Sequence, residues 1–124
     1  MNNLFFDVAT FMKACGQEFP SDPDPNISDL SKLYIKLIKE EYDEFCQAEE
    51  ALDNAKQLDA CFDMIWVIIG YMHSRGWNCN AAWNEGAASN IRKIDRDTGK
   101  VIRRDDGKIL KPKDWKEPDF KKFV

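Results

Sequence analysis

The chain has 124 residues, of which 44% are hydrophobic and 32% are charged, and it carries a net charge of −4 with a pI near 5.0. This length fits one domain with a real core, so residues 1–124 are predicted to form a single domain. The acidic balance argues against nucleic acid as a partner, because nucleic-acid binding needs a basic surface. The apolar run from Cys61 to Met72 contains Asp63 and is shorter than the ~20 residues of a membrane-spanning helix, which argues against a membrane partner.

Four helices are predicted over residues 1–95, because apolar residues recur there at helical spacing. Capping residues, glycines and prolines mark their ends. The predicted helices span about residues 3–17, 29–55, 57–74 and 80–94. The second begins at Ser28, or alternatively at Ser31, as its N-cap and ends at a break near Asp53-Asn54. The third ends at Arg75-Gly76, a glycine C-cap.

The remaining residues, 96–124, are predicted to form a small β-hairpin and an extended tail. Two short apolar stretches surround Asp105-Asp106-Gly107, a sequence typical of a hairpin turn. The predicted strands are 100–103 and 108–111. We expect Trp115 and Phe120 to anchor the tail on the helical body. The predicted fold class is therefore all-α, a four-helix body followed by a C-terminal β-hairpin and tail.

The third predicted helix, 57–74, is apolar on nearly all sides. A helix of this kind must be surrounded by other elements, which is difficult in a monomer of this size. We therefore expect a homodimer that packs through the helices across a two-fold axis, with a tetramer as the alternative.

The four cysteines are Cys15, Cys46, Cys61 and Cys79, and they show neither CxxC pairing nor zinc-like spacing with the single histidine, His73. Free thiols are usual in a reducing compartment, so a cytoplasmic location is predicted.

Two acidic clusters lie in neighbouring predicted helices. In the first, Glu40, Glu41 and Glu44 share one helix face, and Glu41 and Glu44 lie on or beside the apolar stripe. In the second, Asp59 and Asp63 are four residues apart, and apolar residues surround Asp63. Buried carboxylates neutralise, pair or bind a metal, and these segments contain too few basic residues for pairing. The five acids therefore predict a site for a hard divalent cation, Mg²⁺ or alternatively Mn²⁺.

The register of this site is left open by the sequence. A link near residues 57–58 would place Asp63 about five residues after it but Glu41 and Glu44 much farther before it, which does not fit a simple helical hairpin. Either the second helix ends earlier, around Glu49-Glu50, or the loop is long.

A second group of polar residues follows in the fourth predicted helix. Asn90 and Lys93 are three residues apart and share a face, where an amide and a mobile ammonium group can bind phosphate or sugar oxygens. The basic residues of the hairpin are interpreted as solubilising charge, with a lid over a polyphosphate as the alternative; they are Lys100, Arg103, Arg104, Lys108 and Lys111.

The order of these motifs resembles the all-α nucleotide pyrophosphohydrolases. Glu-Glu-x-x-Glu, Asp-x-x-x-Asp on an apolar helix and Glu-x-x-x-x-Asn-x-x-Lys are similar to motifs of this superfamily, which includes MazG, dimeric dUTPase and phosphoribosyl-ATP pyrophosphohydrolase. The chain resembles in particular the phage-type and bacterial MazG-like or phosphoribosyl-ATP-pyrophosphohydrolase-like proteins, in which a Ser-Asn-x-x-Lys segment precedes a Gly-Lys, Asp-Gly-Lys-x-Leu-Lys and Pro-Asp tail. The tail here reads Thr98-Gly99-Lys100, Asp106-Gly107-Lys108-Ile109-Leu110-Lys111 and Glu117-Pro118-Asp119.

The resemblance implies magnesium-dependent hydrolysis of a nucleoside triphosphate, or a related nucleotide, between its α- and β-phosphates to a monophosphate and pyrophosphate. By resemblance, Glu41 and Glu44 are the catalytic carboxylates and, with Asp63, metal ligands, and Glu40 is an extra leading acid. Asn90 and Lys93 match the substrate-binding segment.

One departure from the superfamily pattern is Ala60, which stands where a glutamate is usual, and Asp59 is expected to take the place of that glutamate. This departure keeps an alternative open, in which the chain is a non-catalytic helical dimer that binds a nucleotide or a protein partner.

Overall fold

The computed structural model describes residues 3–124, which form four α-helices, a two-stranded hairpin and a short 3₁₀ helix. The helices are α1 (Leu4–Ala14), α2 (Asp29–Ala51), α3 (Asn54–Ser74) and α4 (Cys79–Ile91). The strands are β1 (Ile102–Arg103) and β2 (Ile109–Leu110), and the 3₁₀ helix is Lys121–Phe123. The predicted all-α class with a C-terminal hairpin is confirmed.

The link between α2 and α3 differs from the prediction. α2 ends at Ala51, not near residue 55, because Leu52 has a left-handed backbone with φ of 53°. Asp53 then caps α3, since its side chain accepts hydrogen bonds from the N–H groups of Ala55 and Lys56 at 3.1 and 3.2 Å. The link is therefore two residues long. Leucine rarely adopts a left-handed backbone conformation. Because no glycine marks this turn, the sequence does not indicate where α2 ends.

The described chain divides into two compact units, one formed by α1, α2 and α3 up to Cys79 and the other by Asn80–Phe123. Within the first unit, α1 and α2 both pack on α3. The core side chains are Val8, Met12, Tyr34, Val67 and Ile69. The single-domain organisation stays a prediction.

Two contacts set the antiparallel register of α2 and α3. The Tyr34 ring lies against Gly70, where any added side chain would overlap the ring. About one helical turn farther from the α2–α3 link, the buried Ser74 hydroxyl donates to Ser31 Oγ at 2.9 Å. Tyr34 and Gly70 lie eighteen residues on either side of Leu52, and Ser31 and Ser74 lie almost equally far from it. The two helices are thus paired with almost no shift along their axes.

The second unit contains α4, the hairpin and the tail. The strands pair antiparallel, with Ile102 opposite Leu110. Trp115 Nε1 donates to the Ser89 carbonyl oxygen at 2.8 Å, and the Phe120 ring lies beside Gly86. Both predicted anchors of the tail therefore contact α4.

One face of α3 exposes a stripe of large apolar side chains. These are Leu58, Phe62, Ile65 and Ile68, with 72, 56, 50 and 45% of their surface exposed. Their spacing places them along one side of the helix. Among residues 3–124, no helix combines the length and the apolarity that crossing a bilayer requires.

Candidate functional site

Three of the predicted carboxylates converge between α2 and α3. Glu41, Glu44 and Asp63 each offer an oxygen, and these oxygens all lie within 4.8 Å of one another. Glu41 and Asp63 lie eleven residues on either side of Leu52, so the two-residue link aligns them directly. The register left open above is resolved by a helix that ends at Ala51, later than Glu49-Glu50, and by a short loop.

This acidic triad (Glu41, Glu44 and Asp63) has no cationic partner among residues 3–124. Glu41 Oε2 is shielded from solvent and accepts no hydrogen bond. None of the ion pairs found over residues 3–124 includes a carboxylate of the triad. A buried carboxylate oxygen without a donor is costly, which makes it a candidate ligand for a cation.

The proton affinities of the triad follow from this environment. Burial raises the pKa of Glu41, and repulsion from Glu44 and Asp63 raises it further. Burial likewise raises the pKa of Asp63, and the charges of Asp59 and Glu44 add to the effect. The ionised cluster is therefore unfavourable without a compensating positive charge.

The geometry of the triad fits a small hard cation. Octahedral Mg²⁺ binds oxygens at about 2.1 Å, so neighbouring ligands lie about 3 Å apart and opposite ligands about 4.2 Å apart. The triad oxygens, all within 4.8 Å of one another, are therefore at most about 2 Å farther apart than neighbouring ligands of one ion. Small side-chain rotations would bring the three oxygens onto one ion, and carboxylate oxygens are ligands that Mg²⁺ and Mn²⁺ prefer.

The other two predicted ligands, Glu40 and Asp59, lie outside the triad. Both are exposed, and each acts on the triad through its charge, Glu40 on Glu41 and Asp59 on Asp63. The buried Ala60 lies eight residues from Leu52 on α3, as Glu44 does on α2. The position that carries glutamate in the superfamily pattern is therefore level with Glu44. Direct coordination by Glu40 and Asp59 stays a prediction.

A groove of about 390 Å³ adjoins the triad on the side of the α2–α3 link. Its lining residues are Glu44, Gln47, Ala48, Ala51, Lys56, Asp59 and Ala60. Three alanines leave this space open, and its charged lining residues are the carboxylates Glu44 and Asp59 and the lysine Lys56. Lys56 was not among the predicted site residues, although it is the sole basic residue between Glu44 and Asp59.

The predicted substrate-binding residues belong to the second unit. Asn90 lies in the last turn of α4, and Lys93 follows the end of that helix. Lys93 Nζ donates to Asn90 Oδ1 at 2.9 Å, so the two side chains contact each other as their spacing indicated.

Burial disfavours thiol chemistry at Cys79. The four cysteines are free, and burial raises the pKa of the Cys79 thiol to about 11, which keeps it protonated and unreactive. His73, beside Cys79, is held by a 2.8 Å hydrogen bond between Nε2 and the Phe5 carbonyl oxygen. The cytoplasmic location stays a prediction.

Comparison with known proteins identifies the family. No curated protein matches the chain with significant similarity. The family model described as phosphoribosyl-ATP pyrophosphohydrolase matches residues 7–90, more than half of the chain. The matched span contains the whole acidic triad and Asn90, whereas Lys93 and the hairpin follow it. With this span, the four helices and the order of the acidic motifs in agreement, the chain belongs to the phosphoribosyl-ATP pyrophosphohydrolase family.

Proposed function

We propose that the protein is a magnesium-dependent hydrolase that cleaves a nucleoside triphosphate, or a related nucleotide, between the α- and β-phosphates. Family membership points to pyrophosphohydrolase activity on a nucleotide-like substrate. The observation that carries the proposal is the acidic triad, in which three carboxylates without cationic partners converge and one buried oxygen has no donor.

Glu41, Glu44 and Asp63 are the proposed ligands of Mg²⁺, with Mn²⁺ as the alternative. When bound, the ion supplies positive charge for phosphate oxygens and makes a coordinated water easier to deprotonate. Glu40 and Asp59 supply further negative charge at the edge of the site and are proposed as additional ligands.

The chemical step transfers phosphorus from one oxygen to another. A water oxygen forms a bond to phosphorus, the P–O bond to the bridging oxygen between the α- and β-phosphates breaks, and the electron pair of that bond stays with the leaving group, so that the products are the monophosphate and pyrophosphate. Glu44 is exposed and borders the groove, so it can take the proton of the attacking water. Glu41 is the alternative base, since one of its carboxylate oxygens lies within 4.8 Å of a Glu44 oxygen in the same cluster.

Asn90 and Lys93 are the proposed substrate-binding residues. The ammonium group of Lys93 would stabilise negative charge that develops on the departing pyrophosphate. The Asn90 amide, which already accepts a hydrogen bond from Lys93, holds that ammonium group near its own position.

The test is pyrophosphate release from a panel of canonical, deoxy and modified nucleotides, with Mg²⁺ and with a chelator. Asp63→Asn should abolish release while circular dichroism shows an intact fold. Glu50→Gln is the matched control, because this acid is exposed on α2 outside the triad. Absence of pyrophosphate from every nucleotide would contradict the proposal.

Ala60 favours a second function, a non-catalytic helical dimer that binds a nucleotide or a protein partner. Loss of one carboxylate can leave metal and nucleotide binding while removing turnover. Thermal stabilisation by Mg²⁺ and nucleotide without pyrophosphate release would support this function over the first.

We infer that the protein is a homodimer that packs through α3, with a tetramer as the alternative. The support is the exposed stripe on α3, since a row of four large apolar side chains is costly to leave in water. Ile65→Lys should convert the assembly to monomers in sedimentation velocity. Ile109→Lys, at an exposed apolar residue of the hairpin, is the control and should leave the assembly intact.

A further inference from the structure

The second unit contains two lysines on one tryptophan ring. Lys111 Nζ lies 4.8 Å and Lys93 Nζ 5.3 Å from the centre of the Trp115 ring. The ring edge is fixed, because Trp115 Nε1 donates to the carbonyl oxygen of the buried Ser89 in α4. Trp115 therefore gathers two ammonium groups that are eighteen residues apart in sequence.

Neither of these ammonium groups is neutralised by a carboxylate. The ion pairs described over residues 3–124 do not include Lys93 or Lys111. The acid in this part of α4, Glu85, pairs with Arg92 and Lys122 instead. Attraction to the negative ring face offsets part of the repulsion between the two lysines. A bound anion would offset the remaining repulsion between the two ammonium groups.

The spacing of the two lysines indicates which anion fits. Both Nζ atoms lie near one ring centre, so they are at most about 10 Å apart, and each forms its strongest hydrogen bonds with anionic oxygens at about 2.8 Å. A chain of phosphates presents anionic oxygens over several ångströms, so it can contact both groups at separations that one phosphate cannot span. A single phosphate reaches both only when they are close together.

We propose that Lys93, Lys111 and Trp115 form a polyphosphate clamp, in which the two lysines bind successive phosphates and Trp115 positions them. Identification of this ligand with the phosphate chain of the substrate rests on the proposed function, whereas binding by the clamp requires no hydrolysis. Lys111 and Trp115 thereby join the proposed substrate-binding residues. The clamp would select polyphosphates over monophosphates.

The test is isothermal titration calorimetry of the full chain with inorganic tripolyphosphate, pyrophosphate and phosphate in chelator, so that no metal contributes. We expect tripolyphosphate to bind more tightly than phosphate. Lys111→Gln should weaken tripolyphosphate binding about tenfold, the usual effect of losing one hydrogen bond to a charged group. Lys113→Gln is the matched control, since this exposed lysine lies two residues away.

A second pair of variants tests the positioning role of Trp115. Trp115→Leu removes the ring and should weaken tripolyphosphate binding, whereas Trp115→Phe keeps an aromatic face and should restore part of it. If the leucine variant does not fold, Lys111→Gln alone decides the outcome. Equal binding by Lys111→Gln and Lys113→Gln, or no tripolyphosphate binding by the wild-type chain, would overturn the clamp.

These outcomes are separate from those of the proposed function. Pyrophosphate release that depends on Asp63 can persist when the clamp fails. Tripolyphosphate binding that depends on Lys111 can likewise persist when no nucleotide is hydrolysed.

Discussion

Carboxylates in two regions of this chain have opposite surroundings. In the second unit, Glu85 accepts a hydrogen bond from the Asp119 N–H at 3.0 Å and faces Arg92 and Lys122. In the hairpin, the Arg104 guanidinium donates to Asp106 and lowers the pKa of that carboxyl. The acidic triad between α2 and α3 has no such donors, and the pKa values of Glu41 and Asp63 are raised.

The difference shows what marks a candidate metal site in an acidic protein. All of these side chains are carboxylates, and exposed acids are common. Among residues 3–124, what distinguishes the triad is convergence without positive partners, so that its charge is relieved either by protonation or by a bound cation. The carboxylates with partners, Glu85 and Asp106, are bound by N–H groups and cations of the protein itself.

The largest effect should come from exchanging a carboxylate for an amide in the two regions. Glu41→Gln should lower kcat at least about 100-fold, the usual range for a lost base or ligand, yet stabilise the protein in chelator because repulsion and burial of charge are relieved. Glu85→Gln should instead destabilise the protein by about 1 kcal/mol, because ion pairs are lost. Pyrophosphate release with Mg²⁺ measures kcat, and urea denaturation in chelator measures the stability of each variant.

This pair of variants is decisive because the expected stability changes have opposite signs. If Glu41→Gln destabilises the chain in chelator as Glu85→Gln does, the triad is an ordinary structural cluster. Carboxylates of the two regions would then affect stability in the same way.

The next effect concerns the register that builds the triad. Gly70→Ala forces α2 and α3 apart, because the new methyl group would overlap the Tyr34 ring. We expect a loss of about 1–3 kcal/mol, typical of overpacking, together with weaker Mg²⁺ binding. Gly99→Ala is the control, since φ there is +67° but the space is open, and it should cost stability without changing Mg²⁺ affinity. Calorimetric titration with Mg²⁺ separates the two.

The parts of the fold that follow from the sequence are those set by local periodicity. The four helices and the hairpin turn at Asp106-Gly107 are visible as spacing and turn residues, and Ser28 caps α2 as predicted. The α2–α3 link was placed too late because a left-handed leucine, Leu52, terminates α2 where the apolar pattern continues. That single conformation decides the register, and no propensity predicts it.

The site shows the same division. Stripe position predicted that Glu41, Glu44 and Asp63 lie on or beside the inward face, and the structure brings their oxygens together. Glu41 and Asp63 are half-buried there, whereas Glu44 is exposed, so the prediction of an inward position is wrong for Glu44. The same reasoning could not separate Asp59 from the triad, because that depends on the tertiary contact between helices. Trp115 was predicted as an anchor, but its contacts with Lys93 and Lys111 depend on the path of the tail, which spacing does not reveal.

A smaller effect should appear in the pH dependence of stability in chelator. The pKa values of Glu41 and Asp63 lie above their ordinary values of 4.5 and 3.8, so the folded chain binds more protons than the unfolded chain between the ordinary and the raised values. Stability therefore falls as pH rises through this window, and Mg²⁺ should reverse the fall. Urea midpoints from about pH 4 to about pH 8 should show a shallower fall in Asp63→Asn. If stability falls with pH as steeply in Asp63→Asn as in the wild type, the triad does not cause the fall.

The smallest effect is expected at the hairpin, where the ion pair of Arg104 and Asp106 is fully solvated. Water screens such pairs, and holding two flexible side chains together opposes the gain, so their net contribution to folding is near zero. Arg104→Gln should raise the pKa of Asp106 toward its ordinary value, because the first cause of its lowering is removed. The melting temperature and pyrophosphate release should stay unchanged, which thermal melts and the nucleotide assay can check. A clear loss of turnover in this variant would show that the ion pair of Arg104 and Asp106 takes part in substrate binding, and carboxylates with and without partners would then not divide between structure and function.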